Sequence, residues 1–169
     1  IFLYKNNIIR FGNFTLASGK NSSYYVDLRL IPSYPHQFRK MIKNLQNLIV
    51  EKTGLDDFDC LASVPTGGLV VTSALAIEIV KPLIYVRSKP KEHGTTKSIE
   101  GKISAGMKVM MVDDVMTTGT SVLNGINQLK EAELLVSDLY VIINRLEGGD
   151  KALSDIGVQT HQLTDILEI

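Results

Sequence analysis

The chain has one cysteine, no tryptophan, five prolines and no net charge over 169 residues. A lone cysteine, Cys60, excludes an internal disulfide framework and fits a reducing compartment, the cytoplasm. It lies in the apolar run CLASV, where it reads as a small core residue rather than a nucleophile. With 18 basic and 18 acidic residues, the chain carries no electrostatic footprint for a nucleic-acid partner. No apolar run approaches the roughly 20 residues of a membrane-spanning helix, so no membrane partner is expected. No signal peptide is evident. The first residue is Ile1 rather than methionine, so a few native residues are expected to precede it. Internal repeats, low-complexity tracts and an interdomain linker are also lacking, which leaves one domain, 1–169.

What is present is an alternation of short apolar runs with helical patterns. Strands are expected at 60–64, 83–87, 108–113, 138–143 and 158–163. Helices are expected at 35–53, 67–80, 119–132 and 149–155. That order argues an α/β fold, a central parallel sheet flanked by helices on both faces. Ligands then gather at the carboxyl ends of the strands. Two segments stand apart from this 35–169 core. Residues 1–34 are turn-rich and alternating, and suggest a small N-terminal cap, a hairpin beside the main sheet. Residues 88–106 are polar, charged and glycine-rich, and suggest a lid loop.

The most informative run is VMMVDDVMTTGTS, residues 109–121. Four apolar residues suit a buried parallel strand. The small hydroxyl residues and glycine that follow, Thr117, Thr118, Gly119, Thr120 and Ser121, precede a helical pattern. Backbone N–H groups and the helix dipole make such a turn a phosphate cradle. Asp113 and Asp114 at the strand end can accept hydrogen bonds from sugar hydroxyls. In an ordinary polar turn two adjacent carboxylates would repel each other without compensation. The combination describes a pocket for a ribose 5-phosphate.

Three further groups sit at strand ends. Thr66, Gly67 and Gly68 form a second glycine-bearing turn that could approach an anion closely, or could be a tight strand-to-helix turn. Arg87, Lys89, Lys91, His93 and Lys97 place a cluster of cations at the start of the lid, suited to a diphosphate; a solvated surface loop is the alternative. Arg145 follows the fourth strand, and a guanidinium is a planar partner for a carboxylate. His36 and His161 match no pattern and read as structural. The five methionines read as core fillers.

The 109–121 run resembles the phosphoribosyl-pyrophosphate (PRPP) signature of type I phosphoribosyltransferases at all 13 positions. Arg87, Lys91, His93 and Gly94, in the spacing R-x-x-x-K-x-H-G, resemble the catalytic loop of the orotate phosphoribosyltransferases. Ser88 stands where that family has a second lysine, and Lys89 is the expected substitute. The cap segment Phe14 to Asp27 resembles the same family, with Ala17 in place of a frequent lysine and Lys20 as the expected replacement. Residues 142–149 resemble its [LIV]-D-R-x-x-G-G element, with Asn144 in place of the aspartate. The resemblance spans about residues 11–167.

It implies a type I phosphoribosyltransferase fold with an N-terminal hood, and the conversion of orotate and PRPP to orotidine 5′-monophosphate and pyrophosphate. It implies PRPP contacts from Arg87, Lys89, Lys91, His93, Thr66, Gly67, Gly68, Asp113, Asp114, Val115, Met116, Thr117, Thr118, Gly119, Thr120 and Ser121. It implies orotate contacts from Lys20, Tyr25, Thr117 and Arg145, with Lys91, His93 and Asp114 as the catalytic residues. Mg²⁺ is the implied cofactor, carried by PRPP with Asp113 and Asp114 as candidate ligands. The implied assembly is a homodimer whose lid reaches into the neighbouring site. No second catalytic domain follows in the sequence, so a single-activity form is expected. A phosphoribosyltransferase for a purine or uracil would share Asp113 to Ser121 but lack the lid pattern and the Arg145 element. A non-catalytic PRPP-sensing regulator would be expected to lose the lid cations.

Overall fold

Why the chain folds where it does is clearest in its central strands. In the computed structural model, residues 2–15, 19, 21–87 and 98–169 are described. The chain divides into two compact units, 1–39 and 40–169. The larger holds a six-stranded sheet: β3 (Cys60–Ser63), β4 (Leu83–Val86), β5 (Ile99–Glu100), β6 (Lys108–Met116), β7 (Leu135–Asn144) and β8 (Gln159–Asp165). Their spatial order is β5-β4-β3-β6-β7-β8, parallel throughout except for β5, which runs antiparallel to β4. β3, β6 and β7 are the innermost strands and carry unbroken apolar runs, because helices cover both faces and no position need be polar.

Successive side chains on a strand point to opposite faces. Val109 and Met111 therefore share one layer with Cys60, Ala62, Val136, Leu139 and Val141, against which Val122, Ile126 and Leu129 pack. Those last three lie on α4 (Thr120–Glu131), and Leu153 of α5 (Gly149–Ser154) joins the same layer. Leu61, Met110, Val112 and Tyr140 point the other way and are equally buried. Ile42, Leu45 and Ile49 of α2 (Pro35–Lys52) and Val71 and Leu75 of α3 (Gly67–Ile79) supply further buried apolar surface. Cys60 is buried as expected, and burial pushes its thiol up to about 11, which leaves it unreactive near neutral pH. His161 is structural: it stacks on Tyr140 at 4.5 Å between ring centres, and its Nε2 lies 2.8 Å from Asp138. Among the described residues no helix is long and apolar enough to cross a membrane.

The smaller unit contains α1 (Phe2–Lys5), a hairpin of β1 (Ile9–Thr15) and β2 (Asn21–Val26), and a 3-10 turn, Leu28–Ser33. A hairpin was expected in this segment, and β1 and β2 form one. Asp27 begins the 3-10 turn, accepting from the Arg29 N–H at 3.3 Å and from its Nε at 2.7 Å. The turn was not expected from the sequence, because Pro32 argues against a regular helix there. Two differences matter in the larger unit. β6 runs three residues past Asp113, so both carboxylates lie within the strand, paired to β7 as far as Met116 and Asn144. Residues 99–100, inside the expected lid, form β5 and pair with β4.

Ile126 is fully buried at the centre of the α4 layer. Truncation to alanine leaves a cavity between α4 and the sheet. Urea unfolding of Ile126→Ala is expected to show a loss of about 2–5 kcal/mol with an unchanged slope.

Candidate active site

Neighbouring parallel strands end side by side, so the turns that follow them meet. β3 leads through Val64, Pro65 and Thr66 into α3, and β6 leads through Thr117 to Gly119 into α4. At the junction, Gly67 and Gly68 sit directly on the two carboxylates. A Cβ on Gly67 would overlap Asp114 Oδ2, and one on Gly68 would overlap Asp113 Oδ1 and come within 2.8 Å of Ser63 Oγ. Both positions need glycine for this close approach rather than for an unusual φ. The Pro65–Thr66 peptide in the same turn is cis.

Gly119 caps α4 in the left-handed conformation, φ 76°, which allows the sharp reversal from strand to helix. The first turn of a helix offers backbone N–H groups without intrahelical partners. Here they border a cavity of about 90 Å³ lined by Asp113 and residues 115–122. Thr118 and Thr120 face one another with hydroxyl oxygens 2.9 Å apart. A pocket floored by helix N–H groups and walled by hydroxyls is suited to a phosphate. Thr117, Thr118, Gly119, Thr120 and Ser121 are thus gathered as the spacing suggested.

A second cavity, about 160 Å³, lies beside it and is bounded by Val64, Pro65, Arg87, Ser121 and Asn124 among others. Arg87 therefore faces the same group of turns as the 63–68 segment. Its Nη1 donates to Glu100 Oε1 at 3.0 Å, and its backbone N–H donates to the Ser98 carbonyl at 2.8 Å. Glu100 as the partner of Arg87 was not read from the sequence; a separation of thirteen positions hides a contact that the β4–β5 pairing makes.

Arg145 completes the group from the other side. Its backbone N–H donates to the Met116 carbonyl at 2.9 Å, at the end of β6. The glycines after it seat the segment: a Cβ on Gly149 would lie 2.9 Å from the Thr117 carbonyl, and one on Gly119 would lie 3.3 Å from Gly149 Cα. The Arg145 side chain is 5% exposed, with Nε 2.8 Å from Glu147 Oε1. Glu147 was also missed, because a carboxylate two residues away in an irregular segment leaves no periodic signal. Tyr25 belongs to the smaller unit, where its hydroxyl accepts from Arg29 Nη2 at 3.1 Å and its ring lies 5.7 Å from Phe14. Lys20, Lys89, Lys91 and His93 lie outside the described residues.

The electrostatics centre on Asp113. Burial lifts its carboxyl well above the ordinary aspartate range, and the adjacent Asp114 charge raises it further. A hydrogen bond from the Asp114 backbone N–H, at 2.9 Å, works in the opposite direction. Two carboxylates so placed are suited to accept from sugar hydroxyls or to face a cation. Among the described residues no group of three or more acidic, histidine or cysteine side chains could form a protein-only metal cage. Asp113 and Asp114 are the carboxylates at this site that could contribute one or two oxygen ligands to a hard cation.

Comparison with known proteins gives a consistent result. Residues 35–166 match the phosphoribosyl transferase domain. The chain is 48% identical over 168 residues to an orotate phosphoribosyltransferase of Cenarchaeum symbiosum, covering 99% of this chain and 84% of that protein. It is 38% identical over 167 residues to the orotate phosphoribosyltransferase of Pyrococcus furiosus, covering 99% and 91%. Among solved structures, the orotate phosphoribosyltransferase from Aeropyrum pernix is 32% identical and superposes with a TM-score of 0.88 over 99% of this chain and 93% of that one.

The raised Asp113 carboxyl has a consequence for stability. The folded chain holds that proton at pH values where the unfolded chain, near 3.8, has lost it. Stability then falls as pH rises through the window above 3.8, and the penalty is absent below it. Asp113→Asn removes the titrating carboxyl and is expected to raise Tm by roughly 3 °C at pH 7.5. The gain should shrink toward zero as the scan is repeated near pH 4, while turnover drops by at least about tenfold. A lower Tm at pH 7.5 would show that Asp113 is net stabilising instead.

Proposed function

The chain belongs to the orotate phosphoribosyltransferases, within the phosphoribosyl transferase domain family, and on that premise we propose how its residues join orotate to PRPP. The reaction yields orotidine 5′-monophosphate and pyrophosphate in pyrimidine nucleotide synthesis, and the enzyme is a pentosyltransferase. The bond from the anomeric carbon to the diphosphate oxygen breaks as the orotate ring nitrogen bonds to that carbon, the nitrogen's proton passing to the departing diphosphate or to solvent. The carbon is cationic in between, so the site must stabilise negative charge on the departing diphosphate and keep water out.

The observation that carries the assignment of roles is the seating of Gly67 and Gly68 on Asp114 and Asp113. It brings two anion-type turns within one ligand's reach. In this reading, residues 117–121 hold the 5-phosphate. Asp113 and Asp114 take the ribose hydroxyls. Thr66, Gly67 and Gly68 face the diphosphate, along with Arg87, Lys89, Lys91 and His93. His93 or Lys91 stabilises or protonates the leaving oxygen. Mg²⁺, held mainly by PRPP oxygens with Asp113 and Asp114 as the chain's share, would neutralise diphosphate charge. Arg145 takes the carboxylate that distinguishes orotate from uracil, with Thr117, Tyr25 and Lys20 toward the base.

A homodimer in the cytoplasm is part of the same proposal. Support comes from α3, a helix rich in apolar residues on which Val70, Ile77 and the following Val80 are exposed. Ile77 is 83% and Val80 87% exposed, and together with Pro82 and Leu83 they border an open hollow. A contiguous exposed apolar patch of this kind is normally covered by a partner surface. A second copy of the chain is the proposed cover.

Two experiments follow. With Mg²⁺ and PRPP, orotate should be consumed in preference to uracil, adenine, guanine and hypoxanthine. Arg145→Ala should raise the orotate KM and narrow the orotate-to-uracil preference by about tenfold or more, since the guanidinium is the proposed planar partner of the carboxylate that uracil lacks. PRPP affinity, measured alone by calorimetry, should barely change. Lost PRPP affinity with an unchanged base preference would move Arg145 to the phosphate site.

The second concerns the dimer. Lys91→Ala and Asp114→Asn chains, each inactive alone, should regain activity when mixed, to about a quarter of the parent's for random exchange with one intact composite site per hybrid dimer. No recovery after verified subunit exchange would mean that the lid serves its own chain.

A further inference from the structure

Arg145 acts through a geometry that something must hold, and the residue before it is the candidate. Asn144 is the last residue of β7 and is fully buried. Its Nδ2 donates to both oxygens of Asp150, at 2.9 and 3.0 Å, and to Gln162 Oε1 at 2.7 Å. Its Oδ1 accepts from the Leu146 backbone N–H at 2.9 Å. Its own carbonyl accepts from the Ile166 N–H at 3.0 Å. Gln162 is fixed in turn, donating to Asp165 Oδ2 at 3.0 Å.

One amide thus ties together the ends of β7 and β8, the first turn of α5, and the segment that carries Arg145. Leu146 is held at φ 57°, a left-handed conformation that a leucine rarely adopts, and the Asn144 Oδ1 contact is what engages its N–H. Arg145 lies between those two points, with its N–H fixed to Met116 and its Nε beside Glu147. The charges facing Asn144 are Asp150 directly and Asp165 through Gln162. An acceptor-only group at 144 would confront the Asp150 carboxylate, whereas an amide carries the donor for Asp150 and the acceptor for Leu146 on one group.

We infer that Asn144 is a positioning residue: paired with Asp150, it fixes the turn that aims the Arg145 guanidinium, and so sets affinity for the carboxylated base. This rests on the assignment of Arg145 to orotate. The arrangement meets the 117–121 cradle through backbone, at Gly149, so PRPP binding is expected to change much less than orotate binding.

The test is a charge exchange read through KM. Asn144→Asp is expected to raise the orotate KM about tenfold, the scale of a broken buried network, while the PRPP Kd from calorimetry stays within about twofold. Asn144→Asp/Asp150→Asn puts a donor back opposite an acceptor and should return the KM to within about threefold of the parent. Asp150→Ala, with Asn144 intact, should raise the orotate KM severalfold with PRPP affinity again unchanged, and it keeps the test open if Asn144→Asp does not fold. An unchanged orotate KM in these single variants, a parallel loss of PRPP affinity, or no recovery in the exchanged pair would each overturn the role. Arg145→Ala, run alongside, separates the two readings. An unaltered orotate KM there removes the base assignment and this role with it. A raised KM there with no effect of Asn144→Asp or Asp150→Ala overturns the positioning role alone.

Discussion

The site depends on two carboxylates packed against two glycines. Without side chains at 67 and 68, the start of α3 settles onto Asp113 and Asp114, and the turn after β3 meets the strand β6. The positive end of the α3 dipole then lies over the pair and offsets part of their repulsion. The opposite flank is built alike: Gly119 lies against Gly149, and Gly149 against the Thr117 carbonyl, so the Arg145 segment is seated on the phosphate turn by backbone contact. Side chains do the chemistry in the proposed mechanism, but bare backbone sets the spacing between the elements that carry them.

This arrangement opposes stability. Holding Asp113 partly buried beside Asp114 disfavours its charged form. The cost is carried by the sheet beneath. β6 and β7 are buried on both faces along most of their length, and the layer from Cys60 to Val158 is continuous under the junction. Local conflicts of this kind concentrate where a ligand will supply the missing partner.

Much of this was legible in the sequence because it rests on local patterns. The unbroken apolar runs located β3, β6 and β7, and Gly67, Gly119 and Gly149 located the starts of three helices to within one residue. Asp113 and Asp114 were found by their adjacency but were expected at the end of a strand. The pairing of Val115 and Met116 with β7 carries β6 further, and that depends on a partner strand no local pattern reveals. β5 was hidden for the same reason: two residues inside a polar stretch have no period, and only the edge of β4 makes them a strand. Asn144 stood out as a departure from the family pattern, yet its reason lay six residues on in Asp150 and eighteen residues on in Gln162.

The short pairing of β4 with β5 has one more consequence. Because the Arg87 N–H reaches the Ser98 carbonyl, the chain leaves the sheet and returns to it at a single point. The entropy of bringing those ends together is met by the sheet edge, whatever lies between them. Loop closure grows only slowly with length, by about 0.6 kcal/mol for each doubling. Residues 87 and 98 are therefore held together by the sheet edge itself, and the entropy of joining them depends only weakly on the number of residues between them.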